Sequence, residues 1–310
     1  MSKIEDFKVK GLVAAVFTPM KENGDINPAV IEPYAKQLLD DGVNNIFICG
    51  TTGEGASLTV EERMLIAEEW IRVGKNKFDA IIVHVGNDAL PYTQKLAAHA
   101  AEKGADAICV VTPMFFKPST VDLLLQYLRE VSNAAPALPF FYYHNPGFTG
   151  LRFSLEAIWE GLKKTPLPTL RGVKFTDSNM WDMSRVQLLS EGRLQLLYSY
   201  DQQIPEALMM GIEAFIGSTY NYVGKGANKL IAAFKRGDKE TMMKEYEMFL
   251  RFIPLIIKYG ADVGANKCLM KVAKQSAIGP ARLPNKNLSS EELTNLEEDM
   301  KAMGFLEWIN

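Results

Sequence analysis

Cysteine and histidine are scarce in this chain, with three of each among 310 residues. Cys49, Cys109 and Cys268 show no paired spacing, and the first two sit inside apolar strand-like runs, as small buried hydrophobes do. Disulfides and a zinc site are both disfavoured. His84, His99 and His144 fall on separate predicted elements, too scattered to gather a metal, and His84 reads as a structural strand residue rather than a base. A bound metal is not expected.

A dominant charge sign is also missing. The formal net charge is -3, and no dense Lys/Arg run offers a track for phosphates, so nucleic acid is not an expected partner. No apolar stretch approaches the ~20 residues of a membrane-crossing helix. Met1 to Lys10 is polar and mixed in charge, without the apolar core of a signal peptide. A cytoplasmic location away from membranes is therefore expected. No strand-like run leads into Gly-x-Gly-x-x-Gly or Gly-x-x-x-x-Gly-Lys-Ser/Thr, which weakens any nucleotide-binding reading.

With 47% hydrophobic and 23% charged residues, the chain has material for one large domain or two ordinary ones. Short apolar runs rich in β-branched residues recur at 14–17, 46–49, 81–85, 108–111, 140–143, 173–175, 196–198 and 214–216. Between them lie helical patterns near 28–41, 60–74, 90–103, 120–134, 154–164, 179–190, 203–210 and 225–236. Gly42, Gly104 and Gly211 each stand just before a strand, where a glycine past a helix end takes the left-handed conformation without strain. Thr59 with Glu62, and Ser289 with Glu292, form capping boxes. Eight strands alternating with eight helices predict an α/β fold, a closed (β/α)8 TIM barrel. Residues 1–236 form this barrel in the reading, and 237–310 a C-terminal helical extension with helices near 238–258, 264–276 and 290–303, broken at Pro254 and at Gly260–Gly264.

Lys174 is the most informative residue. It is a lone amine inside the apolar run Gly172-Val173-Lys174-Phe175, where burial disfavours the charged form. A neutral lysine is a nucleophile that condenses with a ketone to an imine, and the protonated imine draws electrons from the adjacent carbon-carbon bond. A strand-edge lysine that snorkels to water is the alternative.

In such a barrel, reactive groups come from the C-terminal ends of the strands. Polar residues collect there: Thr18 after the first strand; Gly50-Thr51-Thr52-Gly53-Glu54-Gly55 after the second; Tyr143-His144-Asn145-Pro146 at the fifth; Lys174 and Thr176 at the sixth; Ser199 and Asp201 after the seventh; Gly217-Ser218-Thr219 after the eighth. The glycine-rich turn lets successive N–H groups converge beside two hydroxyls, which suits a small carboxylate, although an ordinary strand-to-helix turn has the same look. Tyr143 is placed to relay a proton or to serve as a core tyrosine. Asp201 is placed either to receive substrate hydroxyls or to cap the helix that starts near Gln203.

With these residues in place, the chain resembles the N-acetylneuraminate lyase and dihydrodipicolinate synthase family of pyruvate-handling class I aldolases. The markers are Gly50-Thr51-Thr52-Gly53-Glu54, Tyr143-x-x-Pro146-x-x-Thr149-Gly150, Gly172-x-Lys174 and Gly217-Ser218-Thr219-Tyr220-Asn221. The resemblance implies that Lys174 forms the imine, that Tyr143 shuttles protons, and that Thr51 and Thr52 bind the keto acid's carboxylate. Synthases of this family place an arginine before the Thr-Gly pair for a second carboxylate; here the position is Phe148, which cannot pair with one. The Gly-Ser-Thr-Tyr-Asn run is instead similar to the sialic acid lyases. That likeness implies reversible cleavage of N-acetylneuraminate to N-acetylmannosamine and pyruvate with no metal or organic cofactor. A related aldolase for another 2-keto-3-deoxy sugar acid, or a non-catalytic keto-acid-binding barrel, is the alternative.

By the same resemblance Thr176 and Ser218 touch the sugar, Asp201 and Gln202 stand where lyases commonly hold the glycerol chain with an Asp-Glu pair, and Ser199 is a further substrate-binding candidate. Two departures stand out: Gln202 where a glutamate is common, and Ser199 where a glycine is usual. Phe115 replaces a tyrosine that in many members reaches the neighbouring subunit's site. A homotetramer is what the resemblance implies.

Overall fold

The computed structural model describes residues 4–309. Eight parallel strands close into a barrel: β1 (Gly11–Ala15), β2 (Asn45–Ile48), β3 (Ala80–His84), β4 (Ala107–Val111), β5 (Phe140–His144), β6 (Leu170–Phe175), β7 (Gln195–Tyr198) and β8 (Ala214–Gly217). The ladder closes where Gly11 to Ala14 pair with Ala214 to Gly217. Helices follow each strand: α1 (Ile31–Asp40), α2 (Val60–Gly74), α3 (Leu90–Lys103), α4 (Val121–Asn133), α5 (Leu155–Lys164), α6 (Met180–Leu189), α7 (Ile204–Met209) and α8 (Gly224–Arg236). This is the (β/α)8 barrel that the alternating pattern predicts.

The strands are apolar on both faces because both faces are covered. Alternate residues such as Val13, Ala15, Phe47, Ile82 and Phe141 fill the lumen, while Leu12, Ala14, Ile46, Ile48 and Phe140 pack outward under the helices. Helix ends obey the glycine reading, with φ of 73° at Gly42, 85° at Gly104 and 80° at Gly211. Both capping boxes are formed.

One irregularity decides the chemistry. Phe140 of β5 pairs with Leu170 of β6, but the next pair is Phe141 with Gly172, leaving Arg171 as an extra residue. Leu170 and Val173 both pack outward although they are three apart, so the bulge reverses the alternation of β6. An unbroken ladder from Phe140–Leu170 would set Val173 level with Tyr143. With the bulge, that partner is Lys174. Gly172 is required just below: a Cβ there would lie 2.2 Å from the Gln195 carbonyl oxygen and 2.8 Å from the Phe141 ring.

The chain continues in α9 (Lys239–Lys258), α10 (Val263–Lys274), α11 (Ser290–Ala302) and α12 (Phe305–Ile309). Pro254 does not break α9, contrary to the expectation from its residue type. Pro254 and Leu250, whose carbonyl it deprives of a donor, both lie on the exposed face of the helix, where losing that hydrogen bond costs least. The short helix α12 was not anticipated. Trp308 from α12 packs on Gly226 of α8 and donates from Nε1 to Glu245 Oε2 at 2.7 Å. No helix among the described residues is long and apolar enough to cross a membrane.

Candidate active site

A chamber of about 340 Å³ opens at the C-terminal ends of the strands. Of the sequence-predicted residues, Thr51, Thr52, Tyr143, Lys174, Thr176, Ser199, Asp201 and Ser218 all line it. Gln202 is not among its lining residues; its backbone carbonyl accepts a hydrogen bond from Tyr246 Oη at 2.8 Å on the α9 side. Phe148 stands in the wall, largely exposed.

Lys174 is 4% exposed, so it is no snorkelling edge residue. Its Nζ lies 4.0 Å from the centroid of the Tyr143 ring and 4.3 Å from that of Phe47. The Tyr143 hydroxyl accepts from Asn145 Nδ2 at 3.1 Å and shares a hydrogen bond with Thr51 Oγ1 at 3.3 Å. Burial pushes the phenol up. The positive charge of Lys174 and the hydrogen bonds with Thr51 and Asn145 outweigh that and hold it below the usual tyrosine value of 10.0. A phenol that loses its proton more readily than usual is thus stacked beside a buried amine, as acid-base work on an imine demands.

The glycine-rich turn is tightly built. Gly55 N–H donates to the Gly50 carbonyl and Glu54 N–H to the Thr51 carbonyl, both at 3.0 Å, while Thr18 Oγ1 donates to the Gly53 carbonyl at 2.7 Å. Cys49 and Glu54 bracket it with φ of 58° and 55°, left-handed values that non-glycine residues adopt only at a cost of about 1 kcal/mol or more. Gly55 has no alternative, since a Cβ would meet the Cys49 carbonyl oxygen at 2.0 Å. The turn thereby presents Thr51 and Thr52 to the chamber.

On the opposite wall, Ser199 Oγ donates to the Ile216 carbonyl at 2.6 Å. Asp201 is buried and accepts a hydrogen bond from Thr219 Oγ1. Burial raises its carboxyl above the usual 3.8, against the pull of the Thr219 and Tyr220 hydroxyls. It does not cap α7, whose start has no side-chain cap, so of the two sequence readings the capping one is set aside.

Several lining residues carried no usable sequence signal. Asn145 was visible only as the residue before Pro146; its Oδ1 accepts from Phe148 N–H at 3.3 Å, which leaves Nδ2 aimed at Tyr143. Asp262, Val263, Asn266 and Asn285 come from the C-terminal segment, far along the chain. A second chamber of about 350 Å³ shares Thr51, Tyr143, Asn145 and Asn285 with the first. His84 lines it, buried and held neutral: burial and the charges of Arg63 and Lys174 push its imidazole well below the usual 6.5. Among the described residues, no group of three His, Cys, Asp or Glu side chains gathers to hold a metal.

The chain matches the family model described as "Dihydrodipicolinate synthetase family" over residues 8–303. It is 43% identical over 301 residues to the N-acetylneuraminate lyase of Rattus norvegicus, covering 96% of this chain and 94% of that protein. It is 43% identical over 307 residues to the Homo sapiens protein of the same name, covering 98% and 95%. Among solved structures, it superimposes on the N-acetylneuraminate lyase (sialic acid aldolase) of Aliivibrio salmonicida with a TM-score of 0.91 at 34% identity, covering 96% of this chain and 98% of that one. The Proteus mirabilis N-acetylneuraminate lyase gives a TM-score of 0.91 at 33% identity, covering 96% and 100%. Barrel, chamber and full-length similarity agree that this chain belongs to the dihydrodipicolinate synthetase family.

Proposed function

We propose that this protein is a Schiff-base (class I) aldolase that reversibly cleaves N-acetylneuraminate to N-acetylmannosamine and pyruvate. The observation that carries this reading is a buried Lys174 amine lying against the phenol of Tyr143 inside a polar chamber, in a chain 43% identical to named N-acetylneuraminate lyases.

Lys174 passes one proton to Tyr143 as its nitrogen attacks C2 of the open-chain keto acid, and Tyr143 returns that proton so that the C2 oxygen leaves as water and a protonated imine remains. Thr51, Thr52 and neighbouring N–H groups hold the carboxylate and fix the orientation. Tyr143 removes the C4 hydroxyl proton; the C3–C4 electron pair moves into the iminium to give an enamine, and the aldehyde N-acetylmannosamine departs. Protonation at C3 and hydrolysis of the imine release pyruvate and restore Lys174. Each step is reversible, so abundant pyruvate drives synthesis. The iminium carries the same charge beside Tyr143 as the lysine ammonium does, which keeps its phenol in the lowered range through the cycle.

Thr176, Ser199, Asp201 and Ser218 line the sugar side of the chamber in this reading. Phe148 supports a lyase over a synthase, because among the described residues no arginine lines the chamber around Lys174 to take a second carboxylate. A homotetramer, implied by the family resemblance, and a cytoplasmic location are part of the proposal. The test is turnover: N-acetylneuraminate should yield pyruvate and N-acetylmannosamine with a higher kcat/KM than any shorter 2-keto-3-deoxy sugar acid. A preference for a shorter acid would move the assignment to a sister aldolase.

A further inference from the structure

The ceiling over the glycine-rich turn is a segment from the far end of the chain. Glu54, two residues after Thr52, places its carboxylate in a buried ion pair: Oε1 lies 2.6 Å from Lys267 Nζ, with side-chain exposures of 0% and 1%. Glu54 Oε2 accepts from the Arg282 backbone N–H at 2.7 Å across 228 residues of sequence. Lys267 Nζ also donates to the Pro280 carbonyl at 2.8 Å. The Arg282 guanidinium then ties three more pieces together: both oxygens of Glu62 at 2.7 Å, the Ser57 carbonyl at 2.9 Å and the Gly24 carbonyl at 2.7 Å. Gly264 lets α10 lie against the Lys286 carbonyl, and Gly279 lets its segment lie against the Met20 carbonyl, since a Cβ on either would fall within 2 Å of that oxygen.

This arrangement answers a local puzzle. Glycine would hold φ of 55° at position 54 without strain, yet a glutamate stands there. A surface charge would not need that conformation, and a structural glutamate for the extension alone need not sit in the turn that carries Thr51 and Thr52. We propose that Glu54 and Lys267 are positioning residues for the keto acid's carboxylate, and that through this pair the C-terminal extension sets the geometry of the Thr51–Thr52 cradle. This deepens the aldolase reading and rests on it. Neither residue takes a proton or a bond in the reaction. Their effect is on how well the cradle fits the carboxylate.

Lys267→Met strands the Glu54 charge in a buried place and lets the turn relax. The readout is the half-saturating pyruvate concentration for borohydride trapping at Lys174. It should rise about tenfold or more in Lys267→Met, with the trapped fraction at saturating pyruvate near that of the parent. Glu54→Gln combined with Lys267→Met removes both charges and should lie closer to the parent than Lys267→Met alone. Arg282→Lys, at a partly exposed position, weakens the same tie with little risk to folding and should raise half-saturation in the same direction. If the variants lower Tm while half-saturation stays at the parental value, the pair is merely structural and the proposal is overturned. Absence of any trapping in the parent protein would instead remove the aldolase reading, and the proposal with it.

Discussion

Tyr143 and Lys174 are direct partners across β5 and β6, and the lysine nitrogen sits 4.0 Å from the centre of the phenol ring. Backbone hydrogen bonding therefore sets the distance between the proposed nucleophile and the proposed base, with no loop motion required. Elements this rigid hold a reactive pair more closely than loops do.

Replacing Tyr143 by Phe keeps the ring that Lys174 packs on and deletes only the hydroxyl. Cleavage should fall by roughly 10²- to 10⁴-fold, the usual worth of a positioned acid-base group. The parent's kcat/KM should rise with pH through a group lying below 10.0, because the phenol is held under its ordinary value and acts by accepting a proton. That limb should vanish in Tyr143→Phe. A pH–rate profile of both proteins checks it.

Gly172→Ala tests the bulge. The added methyl meets the Gln195 carbonyl oxygen at 2.2 Å, and backbone atoms must move. A cost of about 1–3 kcal/mol is expected from such overpacking, seen as a lower Tm. Because the strain falls two residues from Lys174, trapping by pyruvate should slow even in the folded fraction. The same substitution at Gly192, where a Cβ meets nothing within 4 Å but φ is 75°, should lower Tm through strain without slowing trapping.

His144 predicts an acid limit to stability. It is buried and stacked on Phe175 at 5.5 Å between centroids, and desolvation lowers its imidazole to about 4, against the upward pull of Asp182 and Asp177. The unfolded chain binds a proton near the ordinary 6.5, while the native state does not until about 4. The native protein thus keeps this contribution in full above 6.5 and loses it as pH falls from 6.5 to 4, by about 3 kcal/mol in all. His144→Phe preserves a stacked ring and should flatten the fall of Tm across that window.

Most of the barrel was legible because its signals are local. Apolar runs, the glycines at 42, 104 and 211, and the Thr59 and Ser289 capping boxes each act within one turn or strand. The polar residues at the strand ends followed from the same layout, and eight of the nine named site residues line one chamber. What escaped depends on distance or on a single inserted residue. The extra Arg171 that turns Lys174 toward Tyr143 has no signature of its own in a run of apolar residues. The pairing of Glu54 with Lys267 joins two unremarkable charges far apart in sequence. Gln202 failed to join the chamber because neighbouring residues on a short helical turn point in different directions, and Asp201 takes the inward one. Pro254 was misjudged because helix breaking depends on whether the freed carbonyl is buried, which composition does not reveal.

The most direct test of the account is to incubate the protein with pyruvate and borohydride and locate the adduct by peptide mass. The account predicts one reduced pyruvyl adduct, on Lys174, and none in Lys174→Ala, whose cleavage of N-acetylneuraminate falls by about 10⁴-fold or more. An adduct on another lysine, or a Lys174→Ala variant that cleaves as fast as the parent, would contradict it.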